Sequence, residues 1–152
     1  MKVNTRGYGG RKLHKIITVR TSDQKRSGQK LYISGLVEAF AIITPKIVRL
    51  KGPVGKPIQT SIKIIPMDKY PFAIVGVRAR RGINIEYDLR KNVDGAGYIL
   101  KVSNRRKTKG RYADSIRLIT DSNIKREINI YVYGHISQEF PVEKKMIQNK
   151  SS

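Results

Sequence analysis

Two carboxylates, Glu86 and Asp88, come closest in this sequence to a pair that could do acid–base chemistry. They stand two positions apart in the alternating segment 83–89, so a strand would place both on one side, where a general acid and a general base could cooperate. The same spacing is typical of the solvent-facing side of an amphipathic strand, and the surrounding Lys and Arg residues favour that interpretation. We therefore predict no catalytic residue and no enzyme activity.

Two glycine-rich segments resemble nucleotide-binding loops only in part. The first, 52–57, reads Gly-Pro-Val-Gly-Lys-Pro, but a phosphate-binding loop has Gly at the position of Leu50 and Ser or Thr at the position of Pro57. The second, 7–10, reads Gly-Tyr-Gly-Gly, which is the wrong spacing for a dinucleotide fingerprint, and no βαβ pattern surrounds it. Both segments are interpreted as turns, and we predict no cofactor.

The chain has two histidines, His14 and His135, and no cysteine. Without cysteine, neither a disulfide nor a thiolate metal site can form. Imidazoles at the edges of strands ordinarily face solvent, so we predict no metal site.

Positive charge dominates the composition, with 32 Lys and Arg against 11 Asp and Glu and a net charge of +21. The excess is spread along the chain, whereas a nucleic-acid reader more often concentrates it on one helix, stripe or arm. The densest cluster contains Arg105, Arg106, Lys107, Lys109 and Arg111, and a second contains Arg78, Arg80 and Arg81. The first cluster is either a solvated basic loop or a phosphate-binding patch, and its five residues are the candidate polyanion-binding site.

The tyrosines offer a second route to nucleic acid, because aromatic rings on the face of a sheet can stack bases. Tyr131 and Tyr133 are examples, but Tyr32 stands at the position equivalent to Tyr131 in an internal repeat. That correspondence favours a shared packing or edge role, and no RNA-recognition signature accompanies the rings. Nucleic acid is therefore not the favoured partner.

These residues must be positioned by β-strands, because apolar and polar residues alternate along the chain while helical periodicity is hard to find. The clearest strand is 83–89, and its alternation predicts that Ile83, Ile85, Tyr87 and Leu89 face inward. The alternating segments are 47–50, 59–65, 72–79, 83–89, 97–103, 111–120 and 127–135. Seven strands are the number expected of the smaller immunoglobulin-type sandwich.

The chain also repeats itself at an offset of 99 residues, with segment 11–37 matching segment 110–136. The matched pairs are Ile17 and Ile116, Val19 and Leu118, Thr21 and Thr120, Leu31 and Ile130, Tyr32 and Tyr131, Ile33 and Val132, Gly35 and Gly134, and Val37 and Ile136. A repeat of about 100 residues made of short strands has the size of an immunoglobulin-type sandwich. Since 152 residues are too few for two such domains, one module is predicted to be incomplete.

The strands before residue 40 resemble a known family. Segment 4–11 reads Asn-Thr-Arg-Gly-Tyr-Gly-Gly-Arg, segment 16–23 reads Ile-Ile-Thr-Val-Arg-Thr-Ser-Asp, and segment 31–35 reads Leu-Tyr-Ile-Ser-Gly. Together they are similar to the closing strands of the bacterial domain of unknown function 1573 family, and 46–136 resembles a divergent second module. The resemblance implies an immunoglobulin-like sandwich akin to the ASH and major-sperm-protein group, in an exported protein with no established catalytic activity. The family's opening strands and an export signal are absent from the chain as given.

The expected protein is all-β, an immunoglobulin-like antiparallel β-sandwich preceded by the closing strands of an incomplete module. Its expected parts are a truncated module at 1–40, a linker at 41–45, the complete sandwich at 46–137 and a flexible basic tail at 138–152. We expect a noncatalytic structural or protein-interaction module that meets a protein partner or a second copy through exposed strand edges. The alternative is a polyanion binder whose basic loops meet nucleic acid or an anionic envelope surface.

Neither a membrane span nor a small-molecule substrate is expected, because no apolar run approaches the length of a membrane-spanning helix and no pocket chemistry is visible. The family resemblance implies a periplasmic or exported protein, although the chain as given has no signal peptide.

Overall fold

The regular structure of this protein consists of strands along which apolar and polar residues alternate. The computed structural model describes residues 2–23, 25 and 28–138, and within them it contains ten strands and no helix. The strands are β1 (Arg11–Val19), β2 (Gln29–Val37), β3 (Ala41–Thr44), β4 (Ile47–Pro53), β5 (Gln59–Pro66), β6 (Ile74–Ala79), β7 (Ile85–Lys91), β8 (Tyr98–Asn104), β9 (Gly110–Thr120) and β10 (Glu127–Ser137). The prediction of an all-β fold is confirmed. The tail at 138–152 lies, from residue 139 onward, outside the described residues.

Strands β3 to β10 form two four-stranded sheets in a sandwich-like arrangement. One sheet has the order β4-β10-β9-β6 and the other has the order β3-β5-β8-β7. Strand β4 runs parallel to β10, and every other described pair is antiparallel. The chain passes from the second sheet to the first between β3 and β4, at the cis peptide bond between Thr44 and Pro45.

The core lies between these sheets because each inner strand buries every second residue. In β10, Ile128, Ile130, Val132, Gly134 and Ile136 are buried and the residues between them are exposed. Facing them from the other sheet are Ile62, Ile64, Leu100 and Val102, all fully buried. Burial of each such aliphatic side chain contributes about 1.5 to 3 kcal/mol, so this layer is the main source of stability.

The segment 41–45, expected to be a linker, contains a strand of the sandwich. Residues Ala41–Thr44 form β3, which pairs with β5 and adds an eighth strand to the seven predicted. The physical reason is that pairing with β5 satisfies backbone N–H and C=O groups of this segment. In addition, Ile43 packs against the core.

The prediction that Ile83 faces inward is wrong. The strand begins two residues later, at Ile85, which pairs with Asn104 and is only 2% exposed, whereas Ile83 is 74% exposed. Before Ile85 the chain turns through Gly82, whose φ of +67° ends the extended conformation that alternation assumes. Tyr87 and Leu89 are half-buried and pack against the core, in agreement with the prediction for those two residues.

The two strands before the sandwich, β1 and β2, form a separate antiparallel hairpin that repeats the pairing of β9 and β10. Ile17 pairs with Leu31 in the hairpin, and Ile116 pairs with Ile130 in the sandwich. Both pairs are separated by the offset of 99 residues seen in the sequence. The repeat is therefore a repeat of strand register as well as of residue type.

An acidic residue at the end of the hairpin connects it to the sandwich. The Glu38 carboxylate accepts hydrogen bonds from Lys69 Nζ, at 2.6 Å and 2.8 Å, and from the Tyr70 hydroxyl. Next to it, Phe40 stacks on Phe72 with 4.6 Å between ring centroids. These contacts join the chain between β2 and β3 to the turn between β5 and β6.

Aspartate introduced at either of two positions, Ile85 or Ile83, tests where β7 begins. Ile85→Asp is expected to lower the free energy of unfolding by roughly 3 kcal/mol or more, because an aliphatic contact is lost and a carboxylate enters the core. Ile83→Asp introduces the same group at an exposed site and should stay within about 0.5 kcal/mol of the parent. Urea denaturation followed by circular dichroism measures both, and similar losses would contradict the strand boundary.

The Glu38 contact predicts a dependence of stability on pH. Hydrogen bonds from Lys69 and then Tyr70 lower the pKa of Glu38 below its ordinary value of 4.5. A carboxylate with a depressed pKa stabilises the folded state above its unfolded pKa, and that contribution is lost as the pH falls through the folded pKa. Between about pH 5 and pH 2, the parent should therefore lose more stability than Glu38→Gln, as measured by thermal unfolding. Parallel curves for the two proteins would show that the contact does not stabilise the fold.

Candidate interaction surfaces

The hairpin exposes a face that its counterpart in the sandwich buries. We define the hairpin apolar face as the side of β1 and β2 that corresponds to the core side of β9 and β10. It comprises Leu13, Ile17, Val19, Leu31, Ile33 and Val37. Leu31 is 50% exposed and Val19 is 37% exposed, whereas their equivalents Ile130 and Leu118 are 1% and 0% exposed. Only Leu13 of this face is buried.

The basic cluster at 105–111 is divided by the fold. Arg105, Arg106 and Lys107 follow β8 at one end of the sandwich, where they line a surface cavity together with Lys56 and its neighbours in the turn after β4. That turn is the second part of the glycine-containing segment 52–57, and Gly55 adopts a φ of +82° in it. Sequence patterns did not predict that Lys56 would join the cluster, because the two segments are far apart in the chain.

Within this loop Arg106 has a structural role. Its Nε donates to the Thr108 carbonyl at 3.1 Å and its Nη2 donates to the Lys109 carbonyl at 3.4 Å. The Arg106 backbone N–H donates to Asn104 Oδ1 at 3.2 Å, and the same oxygen accepts a 2.7 Å hydrogen bond from the Tyr112 hydroxyl. Burial raises the pKa of Tyr112 to about 12, so this phenol remains a donor across the physiological range.

The last two members of the predicted cluster lie elsewhere. Lys109 is exposed on the loop before β9. Arg111 points outward from the second residue of β9, beside His135 of β10. The five candidate residues therefore form no single patch: three line the end cavity and Arg111 belongs to the outer face of a sheet.

That outer face also carries the two tyrosines. Tyr131 and Tyr133 are 52% and 48% exposed, on a strand that lies between β4 and β9. The interpretation of these rings as packing or edge residues is wrong. Because Ile130 and Val132 occupy the inward positions of β10, the alternation of the strand forces both rings outward.

The second basic cluster lies beside the tyrosines. Arg80 and Arg81 line a depression that also contains Tyr131 and Tyr133. The turn that holds them is fixed by Asp114, whose Oδ1 accepts from Arg81 N at 3.1 Å and whose Oδ2 accepts from Gly82 N at 2.9 Å.

The two acidic residues of β7 and the two histidines lie on exposed faces of strands. Glu86 and Asp88 are exposed on the outer face of β7, where they line a depression of about 520 Å³ together with Arg90, Lys91 and Lys101. Asp88 is paired with Arg90 at 2.6 Å. His14 and His135 are exposed, on β1 and β10. Among residues 2–23, 25 and 28–138, no three His, Asp or Glu side chains are grouped closely enough to hold a metal ion.

In the same part of the chain, no helix has the length and hydrophobicity of a membrane span.

The division of the basic loop into structural and exposed cations can be tested. Arg106→Ser is expected to lower the free energy of unfolding by about 1 kcal/mol, because two carbonyl groups lose a charged donor. The double variant Arg105→Ser with Lys107→Ser removes more charge but should stay within about 0.5 kcal/mol of the parent. Chemical denaturation measures both, and equal stability of the two variants would show that Arg106 does not hold the loop.

Comparison with known proteins supports the fold. No family model matches the sequence, and no curated protein matches it. Among solved structures, the chain is similar to a protein of unknown function from Porphyromonas gingivalis W83, with a TM-score of 0.50 and 13% sequence identity. The similarity covers 86% of this chain and 68% of the other. At this identity the similarity shows the all-β sandwich fold alone.

Proposed function

We propose that this chain is a noncatalytic immunoglobulin-like module that binds another protein through the hairpin apolar face. The observation that carries the proposal is the contrast between two hairpins of identical register. In the sandwich, Ile116 and Ile130 are buried at 0% and 1% exposure, whereas Leu31 at the position equivalent to Ile130 is half exposed.

The sandwich indicates what kind of surface would cover the hairpin. The core side of β9 and β10 lies against the aliphatic side chains of the second sheet, including Ile62, Ile64 and Leu100. A partner for the hairpin would therefore supply strands with aliphatic residues at every second position. Addition of strands to an incomplete β-structure is an established mode of protein recognition.

A noncatalytic role is supported by where the reactive side chains lie. Glu86 and Asp88, the best candidates for acid–base chemistry, are exposed side chains in a surface depression on the outer face of β7, and Asp88 is engaged by Arg90. Catalytic groups are generally held in clefts that exclude water, and their geometry is fixed by surrounding residues. Function is therefore assigned to surfaces of the module rather than to a reaction.

A family relationship forms part of the same proposal. The residues that resemble the domain of unknown function 1573 family include 31–35, which lie within β2 of the hairpin. A relationship of this hairpin to the closing strands of such a module would explain why its apolar side is built to face another sheet.

Self-association of the full chain tests the proposal, because in a purified sample a second copy of the chain is the protein that can cover the hairpin apolar face. We expect concentration-dependent association in sedimentation velocity experiments. Leu31→Ser with Ile33→Ser should raise the dissociation constant at least about tenfold, since each buried aliphatic group contributes about 1.5 to 3 kcal/mol and 1.4 kcal/mol corresponds to a factor of ten.

The matched control changes the opposite side of the same strand. Tyr32→Ser with Leu36→Ser removes two large apolar groups that are each 73% exposed, and it should leave association unchanged. A monomer at every concentration, together with hairpin amides that exchange as slowly as those of β9 and β10, would contradict the proposal.

A further inference from the structure

The outer face of the sheet β4-β10-β9-β6 concentrates positive charge. Outward side chains of β4, β6 and β9, together with the residue that follows β6 in the same alternation, supply six cations. They are Arg49, Lys51, Arg78, Arg80, Arg111 and Arg117. Among the described residues of these four strands, the carboxylates on this side are Glu127 and Asp114. Glu127 is paired with Arg117 at 3.4 Å, and Asp114 lies in the depression beside the tyrosines, where it accepts hydrogen bonds from the backbone of the turn at 81–82. We call this surface the tyrosine face, after the two rings at its centre.

The opposite face of the sandwich shows that this charge is more than the average of a basic protein. The exposed charged residues of β5, β7 and β8 are Lys63, Arg90, Lys91, Lys101, Glu86 and Asp88, so carboxylates offset half of the cations there. In addition, the one tyrosine of β7, Tyr87, points towards the core. Charge and exposed aromatic rings thus coincide on one side of the molecule.

Both rings share a depression with Arg80 and Arg81, and one of them has a cation as its neighbour in the strand pairing. In the pairing of the strands, Tyr133 lies beside Arg49 on one side and Ala113 on the other. Tyr131 lies beside Ser115, whose carbonyl accepts a 2.8 Å hydrogen bond from Arg80 N. Between the rings and the arginine turn is a depression of about 290 Å³, which is also lined by Ala113, Ser115 and Asp114.

The spacing of the rings favours bases that are separated from one another. Alternate residues of a strand are about 7 Å apart, which is twice the rise of about 3.4 Å between stacked bases in one strand of a duplex. Each ring could therefore stack on one base of an extended single strand, while the arginines on either side contact phosphates. In a duplex, the flat surfaces of the bases are already stacked on each other and are not available to the rings.

We infer that the tyrosine face binds single-stranded nucleic acid, with Tyr131 and Tyr133 stacking on bases and the surrounding arginines contacting the phosphate backbone. The inference concerns a different surface from the hairpin apolar face and does not depend on it. It also relocates the polyanion site from the basic loop, where Arg106 is already engaged by carbonyl groups, to a sheet.

Binding of fluorescein-labelled oligothymidylate to the full chain, followed by fluorescence anisotropy, tests the inference. Tyr131→Ala with Tyr133→Ala is expected to weaken binding at least about 25-fold, because stacking on each ring contributes at least about fivefold. Tyr131→Phe with Tyr133→Phe keeps both rings and should bind like the parent. Since both residues are exposed, circular dichroism should show that all these variants fold.

Charge is tested separately through the salt dependence. Arg49→Gln with Arg80→Gln should reduce the slope of the logarithm of the binding constant against the logarithm of the salt concentration by about 1.4, since each contact to a single strand contributes about 0.7. The matched control, Lys63→Gln with Lys101→Gln, removes the same charge from the opposite face and should leave the slope unchanged.

Three outcomes would overturn the inference. The first is absence of binding to oligothymidylate at low salt. The second is binding to a duplex of the same length, or to vesicles containing phosphatidylglycerol, that is as tight as binding to the single strand, together with single-strand binding that the tyrosine variants do not weaken. The third is loss of binding in Arg105→Ser with Lys107→Ser but not in the tyrosine variants, which would return the site to the basic loop.

Discussion

The burial of alternate residues of β10 between two sheets is the constraint on which the rest of this molecule depends. Ile130, Val132 and Ile136 fill the core, and the two-residue period of a strand then sends Tyr131, Tyr133 and His135 to the outside. Because β4 and β9 flank β10, the outward residues of three strands lie side by side. The same aliphatic packing that stabilises the fold thus assembles the tyrosine face.

In the hairpin β1–β2, apolar residues alternate in the same way, but no other described sheet covers them as the second sheet covers β9 and β10. Its residues pair in the register of β9 and β10, so local sequence is sufficient to define the strands and their apolar side. Burial, however, is a property of the neighbours: Ile130 is 1% exposed under the second sheet, and Leu31 is 50% exposed without an equivalent cover. Apolar surface that is buried in one hairpin is therefore partly exposed in the other.

Cations outnumber carboxylates by 32 to 11 in this chain, and several of the carboxylates hold turns and connections. Asp114 accepts hydrogen bonds from the backbone of the turn at 81–82, Asp121 accepts from Ala73 N at 2.7 Å, and Glu38 binds Lys69 and Tyr70. These acidic groups fix turns and connections, where a carboxylate satisfies donors that strands leave unpaired. Few carboxylates remain to neutralise the arginines of the sheet faces.

The sequence by itself determined the all-β class, the positions of seven strands and the repeat of 99 residues, because each depends on patterns within a few neighbouring residues. It misplaced Ile83, since a turn at Gly82 delays the strand, and it did not identify β3, whose four residues are a strand because β5 lies beside them.

Only the tertiary structure divided the basic cluster at 105–111 and brought Lys56 to one of its parts. It likewise placed Arg80 next to Tyr131 and Tyr133. Alternation along a strand is local and can be seen in one sequence, whereas the order of strands in a sheet decides which surface residues become neighbours. That order is set by packing between residues far apart in the chain.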